Sequence, residues 1–130
     1  MIKNDQEIWW KCEVNGCCNI KKRVKFNVFK GCFPGNRGLS DVDGIVDING
    51  ERFLMLEWKT SGSILNTGQR RLFENVTAWD RMTGLVVWGN AETMTTDSFA
   101  LYRNGKRVDE GRITIDGVKD IMKSWSGVIP

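Results

Sequence analysis

Three acidic residues, Asp41, Asp43 and Asp47, stand just before an Asn-Gly pair at 49–50, and the apolar run after it ends in Leu56-Glu57-Trp58-Lys59. Side chains alternate along a strand, so Glu57 and Lys59 share one face and Trp58 takes the other. A Glu and a Lys closing so apolar a run are costly to bury unless they pair or bind an ion. If the two runs around Asn49-Gly50 form a hairpin, Asp43 comes beside Glu57. Two carboxylates and an ammonium then converge on one point. Hard oxygen ligands with open positions suit Mg²⁺ or Mn²⁺, which would keep several waters. The chain contains no histidine. That excludes Ser-His-Asp and Cys-His catalysis and His-ligated metal hydrolysis. Hydrolytic chemistry here has to run on carboxylates, Lys, Tyr, Ser or Cys, with a metal ion as the natural helper.

These residues need elements to position them. Residues 3–12 suit a short helix, with Ile8 and Trp9 against the core. Residues 21–29 alternate, Val24, Phe26 and Val28 on one face and Arg23, Lys25 and Asn27 on the other, which predicts a strand. Residues 30–40 hold three glycines and a proline and read as a loop. GIVDI and ERFLMLEWK flank Asn49-Gly50. An Asn-Gly pair between apolar runs predicts a tight hairpin, because both central positions want positive φ. FLML is apolar on both faces and belongs inside a sheet.

A helix should begin at Asn66, with Gln69 three residues on completing a capping box. Leu72, Phe73, Val76 and Trp79 follow at helical spacing. LVVW, residues 85–88, reads as a buried strand, and FALYR and KRV flank a second Asn-Gly pair at 104–105. A last amphipathic helix covers 116–125, with Asp116 as N-cap and Val118, Ile121, Met122 and Trp125 inward. The order is α, β, β, β, α, β, β, β, α: an α/β domain with a mixed sheet flanked by helices.

The run SDVDGIVDINGERFLMLEWK, residues 40–59, resembles the PD-(D/E)xK nuclease superfamily, the restriction-endonuclease-like fold with an αβββαβ core. In that family an Asp opens one strand and a D/E-x-K tripeptide closes the next. Asp43 matches the Asp, and Glu57 and Lys59 match the tripeptide. Their spacing is similar to that of small VRR-NUC-type and phage-type nucleases, which also carry a Gln at the start of the following helix, where Gln69 stands. The resemblance implies Asp43, Glu57, Lys59 and Gln69 as catalytic residues. It implies Asp43, Glu57 and the carbonyl of Trp58 as metal ligands, and a Glu on the first helix, Glu7 ahead of Glu13. The chain departs at the proline: Ser40-Asp41 replaces Pro-Asp, so Asp41 competes with Asp43. Asp43 is preferred because it directly precedes a strand and Gly44 gives the backbone room. The resemblance covers residues 38–76 by motif and the rest by element order.

Each piece also has a plainer reading. Glu57 and Lys59 could be a strand-end ion pair, Gln69 a helix cap, Asp41 and Asp47 turn and edge solubilisers, and Trp58 core. The functional case rests on their conjunction. Cys12, Cys17, Cys18 and Cys32 are expected as reduced thiols, because no C-x-x-C occurs and two of them are adjacent, which suits zinc poorly. Basic residues at Lys21, Arg23, Lys25, Arg70 and Arg71 would contact DNA phosphates in a nuclease, Arg70 and Arg71 being best placed beside Gln69.

With 130 residues, 41% hydrophobic and 27% charged, the composition fits one globular domain over 1–130 and leaves no room for a separate DNA-targeting domain. The net charge of +3 permits nucleic-acid binding without arguing for it. No apolar run is long enough to cross a membrane, and the N-terminus lacks a signal-peptide core, so a cytoplasmic protein is expected. The expectation is a Mg²⁺- or Mn²⁺-dependent deoxyribonuclease acting on DNA. Structure-specific cleavage is favoured over sequence-specific cleavage, a homodimer is expected by analogy with family members of this size, and the cytoplasm in question could be that of a host, with the protein phage-encoded. The rival is a catalytically inactive nucleic-acid- or protein-binding module on the same fold, such as a viral inhibitor.

Overall fold

Two Asn-Gly turns organise the sheet. Asn49 and Gly50 have φ of 57° and 70°, and Asn104 and Gly105 have 56° and 79°. These are the left-handed values that a two-residue hairpin requires. In the computed structural model, which describes residues 24–127, the first turn joins β1 (Gly44–Ile48) to β2 (Arg52–Thr60). The second joins β4 (Thr95–Arg103) to β5 (Lys106–Arg112). Asp47 secures the first turn, its Oδ1 accepting the Gly50 N–H at 2.6 Å.

Between the hairpins lie α1 (Thr67–Thr77) and β3 (Met82–Asn90), and α2 (Ile115–Ser126) follows β5. The strands form one sheet in the order β1-β2-β3-β4-β5. It is mixed: β2 and β3 are parallel, and the other neighbours are antiparallel. The fold is therefore α/β, with helices packed on both faces of a mixed sheet. On one face Leu54, Leu85, Val87, Phe99 and Leu101 pack with Val118 of α2. On the other Met55, Val86, Ala100 and Tyr102 pack with Phe73 of α1. Leu54 and Met55 are both buried, as expected for a strand with neighbours on both sides.

Helix α1 starts as its sequence dictates. The Asn66 side chain accepts the Gln69 N–H and the Gln69 side chain accepts the Asn66 N–H, a complete capping box. It lies close on β3 because residue 84 is glycine: a Cβ there would stand 2.5 Å from Cδ1 of Phe73. The helix ends at Thr77, so Trp79 is not on its buried face. Trp79 is exposed and stacks on Phe53 at 5.4 Å between ring centroids. In α2, Val118, Ile121, Met122 and Trp125 do face the sheet. The N-cap, however, is Thr114, whose hydroxyl accepts the Gly117 N–H, and Asp116 lies in the first turn, where its charge suits the helix dipole.

The chain divides into two units, Met1–Ser40 and Asp41–Pro130. In the first, the expected strand over 21–29 is not formed by its described residues. Phe26–Phe29 make a single 3-10 turn with no buried residue. Alternation alone does not make a strand, which needs a hydrogen-bonding neighbour, and none of the five strands pairs with this segment. Two strands rather than three thus precede α1 among the described residues. The expected helix over 3–12 lies outside them, as do Lys21 and Arg23. No helix among the described residues is long and apolar enough to cross a membrane.

Candidate active site at the end of strand β2

Strand β1 begins at Gly44, opposite Leu56. Beyond that pair β2 runs on for four residues with β3 beside it and, among the described residues, no strand on its other edge. The next N–H on the open edge is that of Trp58, and the carboxylate of Asp43 takes the place of the missing strand: Oδ2 accepts this N–H at 2.6 Å. In an extended strand the N–H and C=O of one residue point the same way. The Trp58 carbonyl is therefore directed to the edge that Asp43 occupies. Its indole goes to the α2 face, half-buried in the core there, and donates Nε1–H to the Gly89 carbonyl at 3.3 Å.

Glu57 and Lys59 point to the α1 face, both half-buried. The Glu57 carboxyl titrates at about 7. Burial is the largest cause; a hydrogen bond with Asp43 and the negative charges of Asp43 and Asp41 add to it, and Lys59 opposes them. Asp43 and Glu57 thus meet across the hairpin end, with Asp41 close enough for its charge to be felt. Lys59 does not close an ion pair with either. Its Nζ donates to Oε1 of Gln69 at 3.1 Å, the same oxygen that receives the Asn66 N–H at 3.3 Å in the capping box. A single side-chain oxygen of Gln69 thus completes the helix cap and also receives the Lys59 ammonium.

The residues expected together are therefore together: Asp43, Glu57, Trp58, Lys59 and Gln69, with Asp41 alongside. Arg70 and Arg71 lie exposed on the first turns of α1, next to Gln69. Lys25 belongs to the other unit and is exposed there. Glu7, Glu13, Lys21, Arg23, Cys12, Cys17 and Cys18 lie outside the described residues. Cys32 is an exposed free thiol.

Among the described residues no three His, Cys, Asp or Glu side chains gather at metal-ligand range. A Mg²⁺-type ion does not need three: it is commonly held by one or two carboxylates with waters and substrate phosphate oxygens completing its shell. Asp43, Glu57 and the Trp58 carbonyl are all hard oxygens, and the open edge of β2 leaves room for the rest. The donor set fits that ion class and would suit a soft or nitrogen-loving metal poorly. Compared with known protein families, with curated proteins and with solved structures, the chain matches none.

Proposed function

We propose that this protein is a metal-dependent DNA nuclease of the PD-(D/E)xK type, its sheet the ββαβ part of a restriction-endonuclease-like core. The observation that carries the reading is the meeting of Asp43 with Glu57 at the open end of β2, with Lys59 held by Gln69 on the same face. A strand-end ion pair alone would bring Lys59 to Glu57. Here the ammonium is instead drawn to an amide oxygen, and the two carboxylates face each other.

In this reading Asp43, Glu57 and the Trp58 carbonyl hold Mg²⁺ or Mn²⁺. Such an ion, when bound, polarises a phosphoryl oxygen and lowers the pKa of a bound water to a useful range. Lys59 places positive charge where it builds up negatively on the phosphate oxygens during attack. Gln69 is a positioning residue that fixes the Lys59 ammonium through its amide oxygen. Arg70 and Arg71 bind flanking phosphates without reading bases. With no base-reading element among the described residues, cleavage directed by DNA structure is preferred over cleavage directed by a long sequence.

The experiment is incubation of the protein with plasmid, linear, single-stranded and branched DNA in Mn²⁺ or Mg²⁺, beside Asp43→Ala. Metal-dependent cleavage that disappears in the variant is the expected result. DNA binding with no cleavage of any substrate, and no calorimetric Mn²⁺ heat that depends on Asp43, would mark a non-catalytic binding module instead.

A further inference from the structure

Lys59 is the first member of a row that crosses the sheet. Register pairs it with Trp88 of β3, Trp88 with Ser98 of β4, and Ser98 with Arg112 of β5. Register partners share a face, so all four belong to the α1 side of the sheet. Helix α1 does not cover them. Its buried residue Phe73 packs at Gly84, and its last turns approach Gly105, toward the other end of the strands.

Over the last three members of the row, beyond Lys59, lies a cavity of about 410 Å³, lined by Gly62 and Ser63 of the β2–α1 loop and by Trp88, Ser98, Arg107 and Arg112, with no α1 residue. Trp88 is half-buried, and its indole N–H is buried without a hydrogen-bond partner among the described residues. Arg107 is committed: it donates to the Tyr102 hydroxyl at 2.8 Å and pairs with Glu110 at 3.4 Å. Asp97 also reaches the cavity, set out of pair by a bulge where Trp88 opposes Ser98 and Gly89 opposes Thr96. Arg112 is exposed and has no side-chain partner among the described residues. Strands lie about 4.8 Å apart, so Lys59 and Arg112 are separated by about 14 Å, a span of roughly two to four nucleotides.

We propose that this row is the path of the substrate strand: single-stranded DNA leaves the reacting phosphate at Lys59, stacks a base on Trp88 and places a phosphate against Arg112. An aromatic platform between two cations along a groove is the arrangement by which proteins bind single strands without reading their sequence. Among the described residues β2 has no strand beyond it at this end, so the path that they lay out runs to one side of the reacting phosphate. The inference rests on the nuclease reading of the site, and it adds the form of the substrate and the direction of its exit.

The test is a length series. Single-stranded oligonucleotides carrying one cleavable phosphodiester are extended by one nucleotide at a time, on the 5′ side in one series and on the 3′ side in the other, and KM is measured in Mn²⁺. Hydrolysis of bis(p-nitrophenyl) phosphate, too small to reach Arg112, reports the catalytic centre separately, with Asp43→Ala as its control. The expected result is a KM that falls roughly ten-fold or more over the first two to four nucleotides in one series and stays flat in the other. Arg112→Glu should abolish that fall and Arg112→Lys should keep most of it. The slope of log KM against log salt for the long substrate should drop by about one in Arg112→Ala. Equal gains in both series, no gain in either, or a full gain in Arg112→Glu would overturn the path and leave the nuclease reading standing, provided the small phosphodiester is hydrolysed. If the wild type hydrolyses neither the small ester nor DNA, the nuclease reading fails and this inference with it.

Discussion

One oxygen, Oε1 of Gln69, receives both the Lys59 ammonium at 3.1 Å and the Asn66 backbone N–H at 3.3 Å. The start of α1 and the placement of the candidate catalytic lysine are therefore coupled through a single side chain. Gln69→Ala should lose both. The helix start loses half of its capping box, and cleavage slows because Lys59 is no longer held. Gln69→Glu separates the two effects, since Glu serves a capping box as well as Gln does. Thermal unfolding should stay near wild type in Gln69→Glu and fall in Gln69→Ala, while single-turnover cleavage falls in both: Lys59 is released in Gln69→Ala, and in Gln69→Glu the new carboxylate pairs with the ammonium and offsets the charge it would lend the phosphate. Wild-type cleavage by Gln69→Ala would show that Lys59 needs no positioning.

In the proposed nuclease the carboxylates and the lysine would have different tasks, and their variants should fail differently. Asp43→Ala removes a ligand and leaves the Trp58 N–H without its acceptor, so Mn²⁺ binding and cleavage should be lost together. Lys59 carries positive charge and cannot ligate the ion. Lys59→Ala should leave Mn²⁺ affinity unchanged or slightly tighter, yet slow cleavage by roughly 10²–10³-fold, the usual cost of losing one group that stabilises transition-state charge. Calorimetric Mn²⁺ titration and single-turnover kinetics on the same preparations decide this. A Lys59→Ala protein that cuts at the wild-type rate removes Lys59 from the mechanism.

Glu57 gives the site a pH dependence of definite sign. Its carboxyl titrates at about 7 in the folded chain, against an ordinary value of 4.5. Between those pH values the folded chain keeps a proton that the unfolded chain has released, so without metal its contribution to stability falls as pH rises from about 4.5 to 7. A divalent ion has to displace that proton, so Mn²⁺ affinity should rise with pH and level off above about 7. Glu57→Gln should flatten the metal-free slope and raise the melting temperature at pH 8 more than at pH 5. Melting curves of both proteins at these two pH values in a chelator provide the measurement; parallel slopes would show that Glu57 is not the group responsible.

The site was legible in the sequence because its positions are fixed by local rules. Asn-Gly turns set the hairpin, the hairpin sets Asp43 against Glu57, and the capping box sets Gln69 beside the strand end. What the sequence did not reveal depends on partners far along the chain. Residues 21–29 alternate like a strand, yet 24–29, the described part, belong to none of the five described strands. Strand β5 continues through the polar Asp109-Glu110-Gly111-Arg112, exposed throughout, because its hydrogen bonds with β4 hold it and no hydrophobic pattern announces it. Arg112 was invisible for that reason, and Trp88 read only as core until register set it beside Lys59. Thr114 outcompetes Asp116 as cap because the helix begins at Ile115, two residues earlier than a cap at Asp116 implies, a boundary that the apolar spacing leaves open.

The closeness of α1 to the sheet holds Gln69 at the site, and Gly84 sets that closeness. A Cβ at residue 84 would stand 2.5 Å from Cδ1 and 2.9 Å from Cε1 of Phe73, and 3.2 Å from Cγ2 of Thr77. Phe73 and Thr77 are fully buried, so neither can swing into solvent. Gly84→Ala therefore has to push α1 outward or force Phe73 off its rotamer, at a cost of about 1–3 kcal/mol. In a chain of this size that is a fall of several degrees in melting temperature. The shift also carries Gln69 away from Lys59, so cleavage should drop by more than the loss of folded protein accounts for. Phe73→Leu in the same chain makes room for the methyl group and should recover part of both losses. Chemical unfolding and single-turnover cleavage of the single and double variants measure the coupling. Independent, additive effects of the two substitutions would show that Gly84 does not set the distance between helix and sheet.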